Sequence, residues 1–222
     1  MIRLSREPFS VIYLCLTVVF CVCIIVSNLL EIKTVSIGSA TITAGFLVFP
    51  VTYIINDCIV EVYGLSKAKL MIWLGFGSSV VVSLLLQLAI ALPGSDDWTA
   101  QAAMEAVYGG VPRIMGASFA AFLCGSMVNA YTMSRMKGDD TDGRRFSLRA
   151  IVSTLFGEGV DSVIFFPVAF AGTLPIATIL SLIVTQMLLK TAYEIMVLPI
   201  TIKVVKRLKK AEDEYDYDYE GR

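Results

Sequence analysis

Long apolar stretches separated by short polar segments dominate the chain. A membrane-spanning helix needs about 20 predominantly apolar residues, and six stretches of the chain approach or exceed that length. They cover residues 9–30, 42–62, 70–92, 112–133, 148–172 and 174–203. The pattern therefore predicts an all-α integral membrane protein with six transmembrane helices.

The remaining segments are short enough to be loops or tails, so we expect one transmembrane domain over residues 1–210. The first apolar run is long enough to span, which favours a retained helix over a cleaved signal peptide. Residues 93–111 are polar and acidic and are predicted to include a short surface helix. Residues 211–222 alternate acidic residues with tyrosine, which is typical of a disordered tail.

The distribution of basic residues predicts the orientation. Segments on one side of the six predicted spans carry most of the Lys and Arg, whereas the opposite side carries only Lys33 and Arg113. The positive-inside rule then places both termini in the cytoplasm, for a multi-pass protein of the inner (cytoplasmic) membrane. The basic residues on the predicted cytoplasmic side are Arg3, Arg6, Lys67, Lys69, Arg135, Lys137, Arg144, Arg145, Arg149, Lys203, Lys206, Arg207, Lys209 and Lys210.

Composition narrows the possible chemistry. The chain is 56% hydrophobic with a net charge of −1, so we expect a lipid bilayer as its environment and no nucleic acid as a partner. It contains no histidine, which excludes imidazole metal sites and Ser–His catalysis. Its five cysteines lie in apolar runs without a CxxC pair, so we interpret them as packing residues. No metal or cofactor is expected.

Ionisable residues nevertheless occur inside three of the predicted spans. Each such residue costs about 2.5–3.5 kcal/mol at the centre of a bilayer, so we expect them to face a shared polar cavity. In each span two of them lie one helical turn apart, namely Asp57 with Glu61, Glu158 with Asp161, and Lys190 with Glu194.

Helical spacing adds further residues to these polar faces, because positions i, i+3 and i+4 lie together. Amides, hydroxyls and aromatic rings near the ionisable residues are suited to a planar ligand. The candidate substrate-binding residues are Ser27, Asn28, Phe49, Asn56, Asp57, Glu158, Asp161, Phe165, Gln186 and Lys190.

Structural explanations compete with this interpretation. Lys190 can pair with Glu194 on its own helix, or with Asp57 or Asp161, and simply stabilise the bundle. Glu61 is close enough to the end of its span to face lipid headgroups. Small residues at 117, 121 and 125 favour helix packing or a dimer interface. Gly157 and Gly159 indicate either close packing or space for a flat ligand beside Glu158.

Six spans divide into two sets of three that enter the membrane in opposite directions. The second helix of each set carries an acidic pair, with Phe49-Pro50 before one pair and Phe166-Pro167 after the other. This reversed order is compatible with two inverted three-helix repeats, a pattern found in many transporters.

An ordered set of short motifs over residues 11–205 resembles the queuosine-precursor transporters of bacteria and archaea, a family also described as vitamin-uptake proteins. The motifs are Ser27-Asn28-Leu29-Leu30, Phe49-Pro50, Asn56-Asp57, Val62-Tyr63-Gly64, Ala117-Ser118-Phe119, Ser153-Thr154-Leu155-Phe156-Gly157, Asp161-Ser162, Phe165, Phe170, Gln186, Lys190, Glu194 and Pro199.

This resemblance implies import of a 7-deazaguanine base such as preQ0 or preQ1, and not an enzymatic activity. One carboxylate, Asp161 or Glu158, would accept the two adjacent N–H groups of a guanine-like edge. An amide of Asn28, Asn56 or Gln186 would meet the O6 and N7 acceptors. A cationic aminomethyl substituent would favour a second carboxylate, for which we select Asp57. Ser126 and Asn129 depart from the Gln and Asp of many family members, so the exact base stays open.

Three other functions remain alternatives. The chain is small enough to be the substrate-binding subunit of an energy-coupling (ECF-type) vitamin or nucleobase transporter, with a separate ATPase because it contains no P-loop. Asp57 and Asp161 could instead form an intramembrane aspartyl dyad. A purely structural scaffold would not explain the ionisable residues. Energy coupling stays open, and the size of the chain is compatible with a homodimer.

Overall fold

The computed structural model describes residues 10–38, 40–137 and 146–220. Within these ranges the chain is almost entirely helical and contains five helices long and apolar enough to cross a membrane. The prediction of a helical membrane protein is thereby confirmed at this level, while the six-span count and the inverted repeat stay predictions. The helices are α1 (Val11–Leu30), α2 (Phe49–Ala91), α3 (Gln101–Tyr108), α4 (Val111–Lys137), α5 (Phe146–Phe170) and α6 (Ile176–Glu220).

A β-hairpin separates α1 from α2. Strand β1 (Thr34–Ile37) pairs antiparallel with β2 (Ala40–Thr43), and a 3-10 turn (Ala44–Leu47) leads into α2. β-branched Thr, Val and Ile dominate both strands and favour extended structure. The predicted start of the second span at residue 42 was therefore wrong, and the helix begins at Phe49 with proline in its first turn.

Helix α2 consists of two arms, residues 49–63 and 65–91, which meet at Gly64. The backbone of Gly64 has φ 82° and ψ 170°, a conformation that is essentially restricted to glycine. Along the 3-10 turn and the first arm, the chain contacts α1 in antiparallel order. Ser10 at the start of α1 lies 3.4 Å from the Tyr63 hydroxyl, and Ser27 near its end donates to the Gly45 carbonyl.

The second arm runs parallel to α1. The Tyr13 hydroxyl donates to the Lys67 carbonyl oxygen at 2.9 Å. Farther along both helices, the ring of Phe20 lies against Gly75. The chain therefore reverses direction at Gly64. The first arm has only fifteen residues because the hairpin and the 3-10 turn occupy part of the apolar stretch predicted as the second span.

Helices α4 and α5 form an antiparallel pair with a close crossing at two glycines. A Cβ added to Gly125 would lie 2.8 Å from the Gly157 carbonyl oxygen, and one added to Gly157 would lie 2.9 Å from Asn129 Cβ. Of the two explanations for Gly157, the structure supports close packing. At the other end of the pair, the Arg113 guanidinium donates to the Val168 and Ala171 carbonyl oxygens, each at 2.7 Å.

The structure tests some of the predictions about the polar segments and leaves others untested. The predicted surface helix is confirmed as α3, whose residues are all at least partly exposed. The segment 211–220, which its composition predicts to be a tail, continues α6 as far as Glu220, and the domain boundary at residue 210 stays a prediction. Of the predicted cytoplasmic basic residues, Arg3, Arg6, Arg144 and Arg145 lie outside the described residues.

Two apolar clusters form the core. The first joins α1 and α2 and includes Phe49 and Tyr53, with Phe122 contributed by α4. The second joins α4, α5 and α6 and includes Phe165 and Phe166. A small cavity is lined by aromatic rings from both clusters, so it lies where the two halves of the core meet.

Candidate functional site

A buried lysine on α6 bridges two carboxylates on α5. Lys190 Nζ lies 3.0 Å from Glu158 Oε2 and 3.1 Å from Asp161 Oδ2. Glu158 and Asp161 are three residues apart on α5 and therefore share one face of that helix. All three side chains are buried, with Lys190 only 6% exposed. We refer to Lys190, Glu158 and Asp161 as the Lys190 cluster.

Aromatic rings from the first arm of α2 lie over the ammonium group. Lys190 Nζ is 4.1 Å from the ring centre of Phe49 and 6.0 Å from that of Tyr53. A cation over an aromatic face at this range is stabilised by the ring quadrupole. Phe49 reaches this position because the hairpin and the 3-10 turn return the chain to the core immediately before α2 begins.

The Lys190 cluster borders a small cavity, which we call the Lys190 cavity. As the structure stands, the space inside it is about large enough for one water molecule. Its walls come from the end of α1, the start of α2 and parts of α4, α5 and α6. The lining residues are Asn28, Glu31, Phe49, Ser118, Asp161, Phe165, Phe166, Gln186 and Lys190.

Four polar atoms of the lining residues are buried without a hydrogen-bond partner among the described residues. They are one donor, Asn28 Nδ2; two acceptors, Glu31 Oε2 and Asp161 Oδ1; and the hydroxyl oxygen of Ser118. Buried polar atoms in native proteins are nearly always paired with protein, water or a ligand. Four such atoms around one cavity give it hydrogen-bonding capacity for water or for a polar ligand.

A hydrogen bond connects the hairpin with α6 at this cavity. Gln186 Nε2 on α6 donates to Thr43 Oγ1 of β2 at 2.5 Å. Gln186 also lines the cavity, so the hairpin helps to fix one of its polar side chains.

Six of the ten predicted binding residues line the cavity: Asn28, Phe49, Asp161, Phe165, Gln186 and Lys190. Glu158 reaches it indirectly through its ion pair with Lys190.

The other three predicted residues are not in the lining. Ser27 is buried and its hydroxyl donates to the Gly45 carbonyl at 3.5 Å. Asn56 is buried elsewhere on α2, with Oδ1 unpartnered among the described residues. Asp57 is half-buried on the first arm of α2.

Interatomic distances identify the ion-pair partners of Lys190 and of Glu61. Lys190 pairs across helices with Glu158 and Asp161, while Glu194 accepts a hydrogen bond from the Thr154 hydroxyl at 2.6 Å. Glu61 forms an ion pair with Lys209 in which both side chains are about half exposed. Glu61 is therefore a surface residue rather than part of the cavity.

Glu31, Ser118 and Phe166 line the cavity but were not among the predicted binding residues. Glu31 lies just beyond the predicted end of the first span, yet it follows Ser27 and Asn28 at the spacing of one helical face. That spacing could have identified it. Ser118 offered no comparable signal because a lone serine in a small-residue stretch is typical of helix packing. Among the described residues, no group of His, Cys, Asp and Glu is arranged to bind a metal ion.

The chain is similar in sequence to known proteins. The model of a family described as "Putative vitamin uptake transporter" matches residues 43–204. A protein of Bacillus subtilis (strain 168), "Probable queuosine precursor transporter", is 27% identical over 186 residues, 84% of this chain and 81% of that protein. "Queuosine precursor transporter" of Escherichia coli (strain K12) is 29% identical over 144 residues, 65% of this chain and 62% of that protein. No solved structure matches the chain.

Proposed function

The chain belongs to the putative vitamin uptake transporter family, and on this premise we propose that it imports queuosine precursors, the 7-deazaguanine bases such as preQ0 and preQ1. The names of the two relatives support this substrate class. The Lys190 cavity is the proposed binding site for the base. The observation that carries this proposal is the convergence of four buried, unpartnered polar atoms on that one cavity.

The unpartnered atoms complement a guanine-like base. Asp161 Oδ1 is an acceptor for N–H groups on the Watson–Crick edge, and Asn28 Nδ2 is a donor for O6 or N7. Asp161 Oδ2 remains paired with Lys190, which fixes the orientation of the carboxylate. Phe49, Phe165 and Phe166 supply apolar faces for a flat ring, since base–aromatic stacking does not depend on base identity.

The base cannot enter the cavity in its present form, because ligand pockets for small molecules measure several hundred Å³ and this one fits about one water molecule. Binding therefore requires the lining to open. Phe49 is the proposed moving part, since it is attached to the first turn of α2 and contacts Lys190 through its ring. A cavity that opens and closes is what alternating access requires.

The membrane arrangement completes the proposal. Six spans would follow if the first arm of α2 crosses the membrane together with the five longer helices, and both termini would then be cytoplasmic in the inner membrane. Two inverted repeats and a homodimer are compatible with this arrangement. The residues of the Lys190 cluster would lie within the lipid-enclosed part of the protein, where ionisable groups usually serve transport.

Uptake of a radiolabelled 7-deazaguanine by a strain unable to make the precursor tests this function. We expect uptake with the wild-type chain and its loss with Asp161→Asn, while Glu61→Gln, which changes an exposed ion pair, transports normally. Guanine serves as competitor and a protonophore tests energy coupling. Equal uptake by cells with and without the protein would contradict the proposed function.

A second candidate function is the substrate-binding subunit of an energy-coupling (ECF-type) transporter, which the small size and the family name favour. It differs from the first in needing a separate ATPase. Expression in a host that lacks any such energising module separates the two. Uptake in that host supports an autonomous transporter, and uptake that appears only after an ATPase module is supplied supports the subunit.

A further inference from the structure

We propose that Glu31 makes the Lys190 cavity selective for bases that carry a cationic substituent, so that an aminomethyl base is preferred to its neutral cyano counterpart. This inference rests on the proposed function and names the preferred substrate within its class. It assigns to Glu31 the role that the sequence analysis gave to Asp57. Two features of the Lys190 cavity carry this inference. Its lining contains the buried carboxyl group of Glu31, which has no ion-pair partner among the described residues. The ammonium group in the lining, that of Lys190, is already paired with Glu158 and Asp161.

Carboxyl groups outnumber ammonium groups around the cavity. Lys190 is the only basic side chain in the lining, and both Glu158 and Asp161 contact its ammonium at 3.0 and 3.1 Å. Glu31 adds a third carboxyl group, and the ion pairs of the described residues do not include it. A buried carboxylate without a cation is costly, so this cavity favours a ligand that brings positive charge.

The position of Glu31 is fixed by its surroundings rather than by solvent. The side chain is 6% exposed, and its Oε2 has no hydrogen-bond partner among the described residues. Its Oε1 side lies against Gly45, where any added Cβ would overlap the carboxylate. One oxygen is therefore engaged with the protein, and the other is available to a ligand ammonium.

Asp57 is less suited to this role. It is half-buried and does not line the cavity. Glu31 and Asp161 line the same cavity, so a single base can contact both. Asp161 would bind the ring edge and Glu31 would bind the substituent.

Competition between two bases tests the inference. Cells or vesicles with the wild-type chain take up a labelled 7-deazaguanine while unlabelled aminomethyl (preQ1) or cyano (preQ0) base competes. We expect preQ1 to compete at a concentration at least about tenfold lower, because a buried charge pair contributes strongly to affinity. In Glu31→Gln this ratio should fall at least about tenfold, whatever the absolute uptake, and Gly45→Ala, which displaces the carboxylate without changing charge, should lower it too.

The outcomes separate the inference from the proposed function. Equal competition by the two bases in the wild-type chain overturns the inference while leaving base import intact, and it does so even if the variants fail to fold. An unchanged ratio in Glu31→Gln, or loss of the preference in Asp57→Asn instead, also overturns it. No uptake of either base by the wild-type chain overturns the proposed function and the inference together. Glu61→Gln is the charge-matched control and should keep the wild-type ratio.

Discussion

Lys190 and Asp161 are joined through only one oxygen of the carboxylate. Lys190 Nζ lies 3.1 Å from Asp161 Oδ2, whereas Asp161 Oδ1 is buried without a hydrogen-bond partner among the described residues. The second contact of the lysine goes to Glu158, one helical turn away. One oxygen of Asp161 therefore serves the protein, and the other is available for a ligand in the cavity.

The stability of the fold should depend strongly on Lys190. Replacing it in Lys190→Met leaves Glu158 and Asp161 buried without their cation, which typically costs about 3–5 kcal/mol. We therefore expect a marked decrease in the thermal unfolding temperature of the purified protein in detergent. Lys209→Met removes the cation of the ion pair with Glu61, which is about half exposed and should contribute less than about 1 kcal/mol.

A second substitution tests whether Lys190 stabilises the protein through its charge or through packing. Adding Glu158→Gln to Lys190→Met removes one of the two stranded carboxylates, so part of the lost stability should return. If the double variant is no more stable than Lys190→Met alone, the lysine stabilises the protein by filling space and not by pairing with the carboxylates.

The reversal of α2 should require glycine at residue 64. Its φ of 82° with ψ of 170° is strained for any residue with a Cβ, at a cost of about 1–3 kcal/mol. Gly64→Ala should therefore lower the unfolding temperature. Gly77→Ala is the matched control, because it lies in the second arm of the same helix with nothing within 4 Å of its added Cβ. Equal effects of the two substitutions would contradict the turn.

The α4–α5 crossing should be sensitive to a single methyl group. In Gly157→Ala the new Cβ would lie 2.9 Å from Asn129 Cβ and 3.0 Å from the Gly125 carbonyl oxygen, and such overpacking typically costs about 1–3 kcal/mol. In Gly159→Ala the nearest atom is Met187 Sδ at 3.4 Å, an ordinary contact. We expect thermal unfolding to show a loss for the first variant only. A comparable loss for both would indicate that the crossing is looser than described.

Hydrophobic length predicted most of the helices because that signal is local. The apolar stretches at 112–133 and 148–172 lie within or close to α4 and α5. The same signal failed at residue 42, where apolar β-branched residues form a strand instead of a helix. The length of an apolar stretch does not distinguish a strand from a helix. A strand also needs a partner strand, which here is Thr34–Ile37.

The candidate site was predictable to the extent that it depends on positions within one helix. Helical spacing placed Glu158 and Asp161 on one face of α5, as the structure shows. The choice of Glu158 and Asp161 over Glu194 as partners of Lys190 depends on how α5 and α6 pack, which spacing does not specify. Glu31 was missed because it lies one residue beyond the predicted end of the first span, although it continues the face of α1 that carries Ser27 and Asn28.

Equilibrium binding of preQ1 to the purified protein tests the central claim most directly, since it measures the Lys190 cavity without transport or metabolism. The account predicts saturable binding by the wild-type chain, the same affinity in Glu61→Gln, and an affinity at least about tenfold weaker in Asp161→Asn, which loses a buried charged acceptor. Binding to Asp161→Asn with wild-type affinity, in a variant that unfolds cooperatively, would contradict it.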